Sequence, residues 1–351
     1  MRKNTFIVLL FFIINISTFA QSRIGVTKRK GKSVEYLHFF GHGNQTLVKQ
    51  LNQTFGHRQL LLDIFQEAPN EAEFIIALRN APENVIAAQL EQAIQGQNDR
   101  ALAYVSVEVG YNGQGLLCIL KTVSPEGGRK VTNSVTSNYP YLIPMVYNLK
   151  NGRRWNKLSD FLTPAGQQWI RKMLLATLRH RAKKYCPDDH PRKNHCRSSG
   201  YTVSDFKDFK FQIDNGANIF SNPTPFHFYF DEVGLVIGNS QFEVARINCI
   251  APSPTIVVPY HLLRPYCKAT SQNPVYTLAN KNNPSVTLKK VNVAKTYLQQ
   301  EPTETINQST PYLVKGDRVT VIEQEEGRSK VIYLSPSHII FQGWVASKHL
   351  K

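Results

Sequence analysis

The sequence predicts an α+β fold, an antiparallel sheet with packed helices, followed by a small all-β unit. Three observations point there. Apolar residues recur at helical spacing over 46–65 and 164–178, they alternate with a period of two over 102–123 and 226–237, and turn signals rather than regular helical crossovers join the strand-like stretches. With 351 residues and 42% hydrophobic content, the chain has material for two cored domains and lies in the globular range.

The chain opens on a leader. Arg2 and Lys3 form a positive n-region, Phe6 to Ile16 a nearly unbroken apolar stretch, and Ala20 the small residue that signal peptidase accepts. Residues 1–20 are expected to be a cleaved signal peptide, since the apolar run is shorter than the ~20 residues that span a bilayer. The mature chain is then periplasmic or secreted, with no stable membrane insertion. Formal charge is +17, and +15 once Arg2 and Lys3 are removed, so the surface favours anionic partners. In that compartment these are peptidoglycan or another anionic envelope polymer, or an envelope protein, and not nucleic acid.

Residues 21–267 read as the α+β domain. Leu47, Val48, Leu51 and Phe55 share one side of a helix within 46–65; Asn70 and Pro82 open further helical stretches. Residues 102–123 form a hairpin around Tyr111-Asn112-Gly113, Tyr141 to Leu149 a strand, and Asn151-Gly152 a tight turn. Thr163 caps and Pro164 starts a long helix whose buried stripe is Trp169, Ile170, Met173, Leu174, Thr177 and Leu178. Its C-terminal end is basic, with Arg179, Arg181, Lys183 and Lys184 suited to the helix dipole and Arg192 and Lys193 following in the next loop. Phe226, Phe228 and Phe230 face one way along a strand that turns at Asp231-Glu232-Val233-Gly234, and Thr255 to Val258 is another strand. Residues 268–288, rich in Asn, Thr, Ser and Lys, read as a linker. Residues 289–351 then hold four short strands, with Lys315-Gly316-Asp317 the clearest turn.

Five cysteines in an oxidising compartment are expected to pair. Cys186 and Cys196 flank a short polar loop, and Cys249 and Cys267 a Pro-rich strand region; each reads as a bridge. Cys118 is left in an apolar run, as a small hydrophobe. Cys186, His190, His195 and Cys196 hold zinc-ligand types, but the compartment favours a disulfide with solvated histidines. His38 and His42 lack the Glu of a metalloprotease motif, and no Gly-x-Ser-x-Gly or Gly-rich phosphate loop occurs. Asp231-Glu232 is explained by turn preference. No metal, cofactor or catalytic activity is therefore expected.

Two passages resemble known families. Phe226 to Ile237 with Thr255 to Leu263, preceded by Val105 to Leu120, Asn148-Leu149-Lys150-Asn151-Gly152 and Leu158-Ser159-Asp160-Phe161-Leu162, resembles the extracytoplasmic domain of lysozyme-sensing anti-sigma factors and a module of unknown function that accompanies peptidoglycan deacetylases. The likeness covers residues 33–267. The chain departs from an anti-sigma factor in having the domain directly after the leader. Tyr312 to Ile322, Lys330-Val331-Ile332-Tyr333 and Gly343-Trp344-Val345 resemble a bacterial SH3-like barrel, a family whose members commonly bind cell-wall peptides.

The expected function is that of a non-catalytic exported envelope protein that binds a cell-wall component or an envelope protein. The alternatives are an inhibitor or sensor of a wall-degrading enzyme such as lysozyme, and a wall-active hydrolase or deacetylase. Candidate binding residues are Tyr312, Tyr333 and Trp344 of the small β unit, since aromatic grooves hold extended peptides, and the basic group Arg179, Arg181, Lys183, Lys184, Arg192 and Lys193. The economical alternative for Trp344 is sheet core.

Overall fold

The computed structural model describes residues 24–30, 35–41, 43–56, 81–82, 85–86, 88–89, 92, 103–125, 141–185, 226–239, 255–280, 286–300, 303, 305–306 and 310–351. The expected leader, residues 1–20, lies outside these residues. All strand pairs among them are antiparallel, and helices pack beside the sheets, as the α+β reading requires. No helix of the described residues is long and apolar enough to cross a membrane. The chain divides into two compact units after Trp155, inside the span expected to be one domain.

In the first unit β1 (Gly25–Lys30) and β2 (Glu35–Phe40) form a hairpin, followed by α1 (Gln45–Thr54). Leu47, Val48 and Leu51 are buried on α1 and Phe55 just beyond it, as the apolar spacing predicts. The Asn44 side chain caps α1 by accepting the Leu47 N–H at 3.0 Å. A meander follows in the order β3 (Ala103–Gly113), β4 (Leu116–Pro125), β5 (Tyr141–Asn148) and β6 (Arg153–Trp155). The Asn151-Gly152 turn joins the last two, with Gly152 at φ +70, a conformation open to glycine. Two amides lace the hairpin to the rest: Asn52 accepts from Phe39 N–H at 2.8 Å and donates to Phe39 C=O at 2.9 Å, and Asn112 binds Ile24 the same way. Each amide thus mimics a strand partner.

The second unit begins with a 3-10 turn at Leu158–Asp160 and then α2 (Pro164–Tyr185). Thr163 Oγ1 accepts the Gly166 N–H at 3.2 Å, the predicted cap. All six stripe residues of α2 are buried. A three-stranded sheet packs nearby, β7 (Phe226–Phe230), β8 (Gly234–Asn239) and β9 (Ile256–Pro259), and its Phe228 and Phe230 rings lie 5.5 and 5.1 Å from Phe161. Asp231 Oδ1 accepts the N–H groups of Val233 and Gly234, both at 2.8 Å, which builds the turn. Gly234 is required there, because a Cβ would come within 2.0 Å of the Val258 carbonyl oxygen. A single turn, α3 (Tyr260–Leu263), follows β9.

Residues 268–288 are not the linker their polar composition suggested. They contain α4 (Pro274–Asn280), which buries Val275, Leu278 and Ala279. The polar residue Asn273 is itself 4% exposed, held by hydrogen bonds to backbone.

Among the described residues the small β unit has six strands rather than four: β10 (Thr287–Lys290), β11 (Lys295–Tyr297), β12 (Tyr312–Val314), β13 (Arg318–Glu325), β14 (Arg328–Leu334) and β15 (Ile340–Ala346). They form a four-stranded sheet in the order β10-β13-β14-β15 and a separate β11-β12 ribbon, and among the described residues the two do not merge into a closed barrel. The sheet is apolar on both faces. Val319, Val321, Val331 and Val345 form one core with Leu298 and Leu313 of the ribbon. On the opposite face Thr320 stands beside Ile332 in register, and both are buried. Ile340, on the next strand, anchors this part to α2: its N–H donates to Thr177 Oγ1 at 3.0 Å, a buried bond between residues 163 positions apart. The Phe341 ring lies 5.0 Å from His180.

Thr177→Val keeps the shape of the side chain and removes the acceptor. The Ile340 N–H then stays buried without a partner, at a cost of about 2 kcal/mol. The expected outcome is a lower urea midpoint with an unchanged slope, while Thr177→Ser unfolds close to the parent; equal midpoints for Val and parent would show that the bond does not anchor the β unit.

Candidate functional site

The three aromatic candidates have different fates. Trp344 is 5% exposed, its N–H and C=O paired with Gln299 and its ring covered by Lys330 Nζ at 5.4 Å, so it belongs to the core and not to a stacking surface. It stands on the face opposite Val345, where the sheet is covered as well. Tyr333 is half-buried, and its hydroxyl donates to Asp317 Oδ1 at 3.2 Å; burial first, and the Asp317 charge second, push its pKa above the ordinary value. The second Asp317 oxygen accepts the Val314 N–H at 2.8 Å, closing the Lys315-Gly316-Asp317 turn. Tyr312 alone of the three is largely exposed, at 55%. Leu313 points inward at 1% and Val314 outward at 44%, so β12 shows solvent an aromatic and an aliphatic side chain in succession. Lys295 Nζ, on the paired strand β11, lies 4.1 Å from the Tyr312 ring centroid and 4.5 Å from that of Tyr297.

A groove of about 640 Å³ lies elsewhere on the same unit, between α3 and the outer face of the β10-β13-β14 sheet. Leu262, Leu288, Ile332 and Leu334 supply its apolar walls, and Leu288 is 60% exposed. Lys289, Lys290, Arg318 and Lys351 also line it, and no Asp or Glu side chain does. Register explains their meeting. Lys290 and Arg318 are directly opposite on β10 and β13. On its other edge Lys290 exchanges both backbone hydrogen bonds with Lys351, at 2.9 Å each. Residues directly opposite put their side chains on the same face, so three cations stand in a row across β10, β13 and the C-terminal segment that pairs with β10. His261 completes the lining, and burial pushes its pKa down, which keeps the ring uncharged at neutral pH.

The basic candidates on α2 are not gathered into a site by the described residues. Arg179 is exposed, and one Arg181 guanidinium nitrogen donates to the Thr255 carbonyl at 3.3 Å, a structural tie to β9. Lys183 and Lys184 lie on α2, but their side chains are outside what is described, as are Arg192 and Lys193 entirely. Cys186, Cys196 and Cys249 also fall outside the described residues, so neither expected bridge is in view. Cys267 is a buried free thiol whose pKa burial pushes up to about 12, and Cys118 is buried in β4. Asp231 is engaged in its turn, and burial raises its pKa against the pull of the two N–H groups. No group of three His, Cys, Asp or Glu among the described residues is placed to hold a metal ion.

No protein-family model matches the chain, and no curated protein does. Among solved structures, a member of the DUF3298 family from Bacteroides fragilis is similar at 12% identity, with 74% of this chain and 96% of that one covered and a TM-score of 0.37. A DUF3298 family protein from Pseudomonas aeruginosa is similar at 13% identity, with 73% and 95% covered and a TM-score of 0.34.

A thiol with a pKa near 12 is protonated and unreactive at pH 8. Iodoacetamide at that pH is expected to leave Cys267 unlabelled in the native protein and to label it in denaturant without reductant, read by peptide mass spectrometry. Labelling that needs reductant as well would place Cys267 in a disulfide with Cys249 or another cysteine.

Proposed function

We propose that this is a non-catalytic exported envelope protein that reversibly binds a cell-wall component through the exposed β12 ridge of its SH3-like C-terminal module. The observation that carries this reading is Tyr312, a large aromatic side chain 55% exposed beside the exposed Val314 and the Lys295 ammonium. Such a ridge has what a wall polymer calls for. The flat ring accepts the C–H faces of sugars or the aliphatic parts of stem peptides, and the adjacent cation meets their carboxylates. The leader and the +17 formal charge support an extracytoplasmic anionic partner. The likeness of residues 33–267 to the sensor domain of lysozyme-responsive proteins supports a role at the wall.

The test is co-sedimentation of the mature protein with purified peptidoglycan. The parent is expected in the pellet at low salt, with less bound as salt rises. Tyr312→Ala is expected to weaken binding about tenfold without moving the thermal midpoint, since the ring is largely exposed. Parent protein that stays in the supernatant at every salt concentration, or a Tyr312→Ala variant that binds like the parent, would overturn the reading.

A further inference from the structure

We propose that the groove between α3 and the β10-β13-β14 sheet is a second binding site, separate from the β12 ridge, and that it takes an anionic amphiphile: a phosphate monoester carried on an apolar chain. The charged end follows from the row formed by Lys351, Lys290 and Arg318. Like charges directly opposite one another on neighbouring strands repel, and among the described residues no acidic side chain pairs with any of the three. The nearest candidate by sequence, Asp317, has both carboxylate oxygens occupied by Tyr333 and Val314. An anion bound across the row relieves the repulsion, and no Asp or Glu side chain lines the groove.

The kind of anion follows from the number and type of the cations. One arginine fork satisfies a planar carboxylate, whereas two ammonium groups and a guanidinium in line suit the three oxygens and near-double charge of a phosphate monoester. Lys289 is a further ammonium group on the lining, while His261, whose pKa burial pushes down, adds none.

The apolar end follows from the walls. Leu288 is 60% exposed on the same face of β10 as Lys290, two residues away, and Leu334 and Leu262 are half-buried along the groove. A free phosphate would leave these side chains in water. An attached alkyl chain covers them, and about 640 Å³ is within the range of small-ligand sites. Cationic and apolar surfaces thus adjoin, which is the chemistry of a lipid phosphate and not of a bare ion or a neutral lipid.

Titration calorimetry on the mature full-length protein, with decyl phosphate below its micelle concentration, tests this. Saturable one-to-one binding that weakens with salt is expected, with inorganic phosphate and decyl maltoside each weaker by ~100-fold and decanoate by ~10-fold. Lys290→Gln and Arg318→Gln are each expected to weaken decyl phosphate by ~10-fold with thermal midpoints no lower than the parent's, since each relieves the repulsion, while the exposed Lys348→Gln leaves binding unaltered. Decyl maltoside binding as tightly as decyl phosphate, or full affinity in the Lys290→Gln, Arg318→Gln double variant, would overturn the site; equal affinity for decanoate would overturn the phosphate assignment. Tyr312→Ala is expected to keep parent affinity for decyl phosphate, so loss of peptidoglycan binding and loss of this site read out separately.

Discussion

Thr163 and Tyr266, 103 positions apart, meet as backbone, and the rest of the C-terminal unit is arranged around that meeting. The Thr163 N–H donates to the Tyr266 carbonyl at 2.9 Å, the Lys268 N–H to the Phe161 carbonyl at 3.0 Å, and Leu162 bridges Cys267. One buried side chain secures the join. Asn273 Nδ2 donates to both the Phe161 and Lys268 carbonyls at 2.9 Å, and its Oδ1 accepts the Val275 N–H at 3.2 Å. Buried polar groups of this kind are stabilising only when every partner is present, and here they are. The join fixes where α2 starts, puts Phe161 under the Phe228 and Phe230 rings, stacks Trp169 on Tyr266 at 4.5 Å, and buries the Cys267 thiol that burial then makes inert.

Once α2 is placed, Thr177 is placed with it, and the small β unit follows. The β10-β13-β14-β15 sheet has a second apolar face that must be covered, and the Ile340 to Thr177 bond sets where α2 helps to cover it. A sheet with two apolar faces is an interior layer, so this module is integrated into a larger core rather than tethered to it. The groove is where that covering stops: α3 supplies Leu262 on one side, β10 supplies Leu288 on the other, and the space between them stays open.

Much of this was legible in the sequence where the signal is local. The spacing of Trp169 to Leu178 reads as a buried helix stripe because 3.6 residues per turn leave no other arrangement, and Thr163-Pro164 marks its start because cap and first-turn chemistry are specific. The Asp231 to Gly234 turn is legible for the same reason. What was not legible depends on partners far along the chain. Thr177 in an apolar stripe reads as packing; its acceptor role exists only because Ile340 arrives 163 residues later. Asn273 reads as linker composition, since nothing adjacent shows that its amide will be buried. Trp344, by contrast, was legible as sheet core, the economical reading of an aromatic on an alternating strand, and it is buried. Lys290, Arg318 and Lys351 are unremarkable singly, and only strand register brings them abreast.

That last case shows how charge and fold constrain each other here. A basic surface with formal charge +17 lowers its own repulsion by spreading cations apart. The α2 helix does this in part by tying Arg181 to the Thr255 carbonyl, and β14 does so by pairing Lys330 with Glu323 at 2.9 Å. The β10 edge does the opposite, setting three cations in line beside exposed leucine where an acidic residue in place of Arg318 would relieve the repulsion. Chain stability alone favours that acidic residue. Its absence there, beside an open part of the sheet's outer face, is what the proposed anionic ligand would answer.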